Sequence, residues 1–288
     1  FDYWNAHHLL QRAGFGGTPS QVLALKNRGL EDAVDWLLET GTIPETGSTA
    51  ETAGRFDSTI MRPRSEEERR QQSQARRGGN EAVLERFRRQ RQMRQRADRR
   101  QLREIQQWWL GRMIETAQPF REKMTLFLHG HFATGYRPVE DSYHMFMQNE
   151  LFRRNATGNF KNDLVRNIIR DPAMIKYLNN NQNSRNAPNE NLARELMELF
   201  TLGEGRGYSE RDIKQGARAL TGYSFNDDRF EFLRRRHDPD AKVIFGQRGP
   251  WDGDDLVDLF SRKGYSRCCC AIGLDLRHWC IFGLGLSY

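Results

Sequence analysis

A chain of 288 residues is long enough to close a real core as one large domain or two small ones. Its hydrophobic content is low, at 37%, and no run of eighteen or more apolar residues occurs, so nothing in it reads as a helical membrane span. The net charge is +7, yet fifteen arginines against seven acidic residues between Arg62 and Glu104 give +8 there, leaving −1 for everything else; this argues for a basic arm on a nearly neutral body, not for a basic nucleic-acid surface spread over the fold.

The chain opens on Phe1, so any leader would lie upstream of it and export stays open. Thr18 followed by Pro19 predicts an N-cap with proline at the first helical position, and Gly29 a stop. Leu30 to Glu39 repeats Leu30, Ala33, Val34, Leu37 and Leu38 at the three-four spacing of a core-facing helix. Residues 41–64, rich in Gly, Thr, Ser and Pro, read as a linker. From Ser65 to Ile114 the sequence is Arg, Gln and Glu with a break at Gly78-Gly79. That predicts a solvated, coiled-coil-like helical arm, docking only at Trp108, Trp109, Leu110 and Met113. It reads either as a polar helical insertion or as a grip on an anionic polymer or membrane surface, weakening with salt. Only Phe87 interleaves with its arginines, which argues against base stacking.

Further helices are predicted over Pro119–His129, Val139–Phe152, Asn159–Arg170, Pro172–Leu178, Glu190–Thr201 and Ser209–Leu220. Asp171-Pro172 and the pair Ser209 and Asp212 supply caps. "YSFNDDRFEF" and "KVIFG" then predict a small antiparallel patch. The four cysteines, Cys268, Cys269, Cys270 and Cys280, lack zinc spacing, and the stretch 261–288 reads as an atypical tail foreign to the fold.

The stretches "AHHLLQRAGFGGTP", "LFLHGHFAT", "DPAMIKYLNNNQN", "APNENLARELMELFTLGEG", "ARALTGY" and "HDPDAKVIFG" together resemble the bacterial family catalogued as domain of unknown function 1800, from about Trp4 to about Phe260, broken by the basic arm, where family members vary. The resemblance implies a mainly helical protein, often exported, often encoded beside the family called domain of unknown function 1501; it implies no particular reaction. Family members usually carry Asp where this chain has Asn179, and they continue past Phe260 into helix, unlike the cysteine tail here.

For function, "LFLHGHFAT" holds the first candidates. His129 falls in the last turn of its helix, where a protonated imidazole is favoured by the dipole by about 0.3–1 kcal/mol. If Gly130 terminates that helix in left-handed conformation, His129 and His131 can share a face. A metal needs a further ligand, and Glu195 is the best supplier, at the border of the apolar face of its helix. Glu190, Arg194 and Glu198 read as an ion-pair ladder and Asn189 as an N-cap. Glu150 lies on the stripe of Val139, Tyr143, Phe146, Met147 and Leu151, where it needs an arginine or a metal, and His144 sits at the edge. His237, in a loop, completes the candidates. The asparagine-rich loop 179–191 reads as turn-forming, or as amides for a sugar, peptide or ion.

The expectation is a mainly α, multi-helix single domain over 1–260 with a small antiparallel β patch and an Arg-rich helical insertion at 62–104. Its function is expected to be that of an exported binding or assembly protein working with a partner, plausibly of the neighbouring family. The alternative is a metal-dependent hydrolase of an extracytoplasmic polymer, with Glu195 and His131 catalytic and a divalent metal held by His129, His131 and Glu195, with Glu150, His144 or His237 as a further ligand.

Overall fold

A computed structural model describes residues 1–38 and 54–262. The cysteine tail, and with it the argument about zinc spacing, lies outside the described residues, as does most of the expected linker.

Three short helices open the chain. α1 (Tyr3–Ala13) is capped reciprocally by Asp2 and Asn5, and α2 (Pro19–Arg28) by Thr18 and Gln21, with Gly29 at φ 83° ending it; α3 (Leu30–Leu38) follows at once. Their apolar faces, Leu9, Leu10, Val22, Leu25, Val34 and Leu37, form a first core that closes on Phe120 and Met124.

The arm is a helical hairpin. α4 (Glu66–Arg77), boxed by Ser65 and Glu68, turns through Gly79 at φ 64° and folds back on α5 (Glu81–Glu115). At 1.5 Å per residue, α5 runs roughly 50 Å. Docking begins well before Trp108, contrary to expectation. Phe87, Asp98, Gln101, Ile105, Trp108 and Arg112 form one buried stripe, and the guanidinium groups of Arg64 and Arg86 lie 5.1 and 5.3 Å from the centre of the Phe87 ring. Polar members hide this stripe from a count of apolar residues. Residues 54–64 are likewise no free linker: Phe56 packs edge-on against Trp108 and Phe146, Asp57 exchanges two hydrogen bonds with the Gln101 amide, and Arg94 donates to the carbonyls of Ile60 and Arg62.

α6 (Pro119–His131) runs through Gly130, which is helical, and ends at Phe132. The one-turn α7 (Tyr136–Val139) is separated by Glu140, at φ 48°, from α8 (Ser142–Arg154), so Val139 does not share a helix with Glu150 as expected. A π-helical turn, Phe160–Val165, leads into α9 (Arg166–Ile168); α10 (Pro172–Tyr177) starts on the Asp171 cap. α11 (Asn191–Glu195) continues as a second π-helical turn, Leu196–Thr201, and α12 (Glu210–Ala219) begins at the Ser209–Asp212 capping box.

The β patch consists of two separate hairpins. β1 (Tyr223–Asn226) pairs with β2 (Arg229–Phe232) in the register Tyr223↔Phe232, and β3 (Lys242–Ile244) pairs with β4 (Gln247–Gly249). α13 (Gly253–Arg262) closes the fold. The larger core joins α6, α8 and the later helices through Phe132, Phe152, Ile168, Met174, Leu196 and Phe260. The fold is mainly α, and among the described residues no helix is long and apolar enough to cross a membrane.

Candidate functional site

Helical Gly130 decides the fate of the two histidines, because residues two apart on a helix point in different directions. His129 turns inward. Its ring packs against Trp109 and Phe152, with centroids 4.8 Å away in each case, and its Nε2 accepts from the Asn149 amide at 2.9 Å. Burial, and then the nearby Arg153 charge, push its pKa down to about 4, so it is neutral at pH 7.

Arg153 is the hub of that region. It donates to Glu122 (2.6 and 3.1 Å), to Glu150 and to Asn149, while Arg112 and Trp109 complete the shell of Glu122 at 2.7 and 3.0 Å. Burial pushes the Glu122 carboxyl up, but Arg153 and then Arg112 hold it below the usual range. Two carboxylates and two guanidinium groups balance, so Glu150 is answered by an arginine on its own helix. The sequence does not single out Glu122, because it has no apolar stripe of its own: α6 is wedged between neighbours and buries more than one face.

His144 also serves packing. It is buried, touches Phe225, and bonds the Asp227 carbonyl at 3.1 Å, with Asp228 at 3.4 Å and Asp141 at 3.8 Å. His237 bonds the Thr221 carbonyl through Nδ1 at 2.9 Å and anchors the loop after β2. In the asparagine-rich loop, Asn179 adopts φ 57°, the Asn180 amide donates to the Leu220 and Tyr223 carbonyls, and that of Asn183 to the Ala217 carbonyl. Asn189 accepts from the Asn191 amide, while Glu190 occupies the cap position. These amides are consumed in holding turns.

The expected meeting of His129 with His131 and Glu195 therefore does not occur, because His129 faces Trp109, Phe152 and Asn149. Among the described residues, no group of three or more His, Cys, Asp or Glu side chains is placed to hold a metal ion. Of the six candidates, His131 and Glu195 line one cleft of 360 Å³ with Gly130, Tyr177, Leu199 and Phe200.

The π-helical turn supplies Leu199 and Phe200 to the cleft wall, with Glu195 directly before it. Such a turn widens the helix and shifts its carbonyls out of register, and π-turns gather at functional sites. Here the Phe200 carbonyl accepts from His131 Nε2 at 3.1 Å, and Thr201 Oγ1 donates back to the Leu196 carbonyl at 2.5 Å. With its proton fixed on Nε2, the His131 ring keeps Nδ1 as an acceptor. Burial depresses the His131 pKa, partly offset by the Phe200 bond. Glu195 is shifted the other way: burial, then the Glu198 charge, raise it, with Arg194 opposing. Arg194 itself is taken up by Glu190, Glu198 and Glu210. Glu195 has no ion-pair partner among the described residues, and this distinguishes it from Glu122 and Glu150. Tyr177, Leu199 and Phe200 carry no chemical signal in the sequence that would have placed them beside His131.

Three of the stretches that carry the family resemblance meet at this cleft, contributing His131, Tyr177 and Glu195. The family described as Protein of unknown function (DUF1800) matches the chain over residues 8–267. The chain belongs to that family. Neither the curated proteins nor the solved structures contain a match. The matched span includes every residue of the cleft.

Proposed function

We propose that the protein is an exported binding or assembly protein that works with a partner, and that the cleft at His131 and Glu195 receives a cationic group from that partner. The observation that carries this is the unpaired Glu195 carboxylate facing the same cleft as a neutral imidazole. The cleft thus offers acceptors, and an ammonium or guanidinium group offers three or five N–H donors. Tyr177 and Phe200 add aromatic faces, which attract cations by about 0.5–2 kcal/mol. A lysine or arginine side chain fits that chemistry. The neighbouring family called domain of unknown function 1501 is the partner this proposal names, on the strength of the family resemblance.

The test is a calorimetric and NMR titration of the full chain with butylammonium and butylguanidinium, with butanol as the uncharged control. Saturable binding of the cations is expected, weakened about tenfold by Glu195→Gln as a charge-assisted bond is lost. Equal responses to butanol, or no effect of the substitution, would contradict the proposal.

The second reading, a metal-dependent hydrolase, rests on the same two side chains as ligand and acid/base pair. Elemental analysis of purified protein separates the two. Stoichiometric divalent metal that disappears in His131→Ala would favour the hydrolase, since a third ligand would then have to come from outside the pair.

A further inference from the structure

The outer face of α5 carries two features in line. Its other arginines are engaged: Arg88 and Arg89 pair with Glu85, Arg91 with Glu140, and Arg94 with backbone carbonyls. Arg96, Arg99, Arg100 and Arg103 are exposed, and no ion pair among the described residues engages them. At 100° per residue these four fall on one face, opposite the buried stripe of Asp98, Gln101 and Ile105. Two turns further along the same face stand Leu110, 59% exposed, and Ile114, 83% exposed.

Leu110 and Ile114 border an apolar groove of 640 Å³ between the end of α5 and the opening helices, whose other walls include Phe15, Leu25 and Trp36. Among the described residues no acidic side chain lines it, and the one charged side chain that does is Arg28, which lies over the Trp36 ring; Lys123 lies over Phe15. Four exposed arginines and, two turns on, the apolar groove thus follow one another along one face, and the charges in and beside the groove, Arg28 and Lys123, are positive as well.

We infer that this face docks an acidic amphipathic helix of a partner protein, with apolar side chains seated in the groove and carboxylates against Arg96, Arg99, Arg100 and Arg103. Two helices packed side by side share the same rise, so carboxylates at i, i+4 and i+7 match the arginine spacing. Apolar anchors further along the same helix then meet Leu110 and Ile114. A uniformly charged polymer would satisfy the arginines and leave both aliphatic side chains in water. The groove shares no lining residue with the His131–Glu195 cleft, and the inference does not depend on what that cleft binds.

The experiment is fluorescence anisotropy of the full chain with a labelled helical peptide bearing leucines and glutamates at the spacing of Ile114, Leu110, Arg103, Arg99 and Arg96. A second peptide carries Gln for Glu. The acidic peptide should bind about tenfold tighter at low salt, the sum of a few exposed ion pairs, and the margin should shrink as salt rises. The triple variant R96E/R99E/R103E should abolish that margin and accept a Lys-substituted peptide instead, which shows that the variant is folded. Ile114→Lys should weaken both peptides. Equal binding of the acidic and Gln peptides, no binding of either, or failure of the charge swap would overturn the inference. So would heparin, or vesicles of phosphatidylglycerol with phosphatidylcholine, binding through the same arginines more tightly than the acidic peptide.

Discussion

Arg153 and Glu122 meet across α8 and α6 with both side chains buried, Nε donating to Oε1 at 2.6 Å and Nη2 to Oε2 at 3.1 Å. Removing one partner strands a charge that water cannot reach. Glu122→Gln should therefore cost about 3–5 kcal/mol of unfolding free energy in urea titrations. The double variant E122Q/R153M should lose less than the two single changes added together. Additive losses would mean that the two groups act separately.

Asp98 reaches from the arm to start α8. Its Oδ1 accepts from the Ser142 amide at 2.9 Å and from the Ser142 hydroxyl at 2.6 Å, and its Oδ2 accepts from Tyr136 at 2.5 Å. Asp98→Ala leaves three buried or part-buried donors without an acceptor, which predicts a loss of about 2 kcal/mol or more. Faster hydrogen exchange should appear at Ser142. If exchange there is unchanged, the arm does not stabilise that helix end.

His129 should titrate near pH 4 when its ring protons are followed by NMR, against about 6.5 for a free imidazole. Because the folded pKa is the lower one, its contribution to stability is full above about 6.5 and fades as pH falls towards 4. A midpoint near 6.5 would place the ring in water.

Asp171 behaves in the opposite sense. Burial raises its pKa from 3.8 to about 7, against the bonds from Met174 and Gln148. The folded state holds its proton longer, so its stabilising contribution is present below about 4 and is lost as pH rises through 7. Asp171→Asn keeps a capping oxygen and removes the ionisation. It should be more stable than the parent at pH 8, by on the order of 1 kcal/mol or more, and close to it at pH 4. Equal stabilities at pH 8 would show that the carboxylate ionises freely.

Caps, prolines and helical spacing made most of the fold legible: Thr18-Pro19, Ser209 with Asp212, and Asp171-Pro172 each start the element that their chemistry predicts. The buried stripe of α5 was not legible, because Asp98, Gln101 and Arg112 are polar and earn burial only through partners far along the chain. Gly130 misled for a related reason. A glycine can end a helix but does not oblige it to, and here the turn continues to His131, sending His129 into the Arg153 network. Glu195 and His131 stood out by residue type and position. The π-helical turn at Leu196–Thr201, which supplies Leu199 and Phe200 to their cleft, has no local signal in its residues.

The most direct measurement is the titration of the Glu195 side-chain carboxyl carbon, alone and with saturating butylguanidinium. Free, it should protonate above the ordinary 4.5, since burial raises it; with a cation against it, the midpoint should drop below its free value. A midpoint that does not move when the guanidinium is added would show that no cation reaches the carboxylate, and the cleft would lose its assigned role.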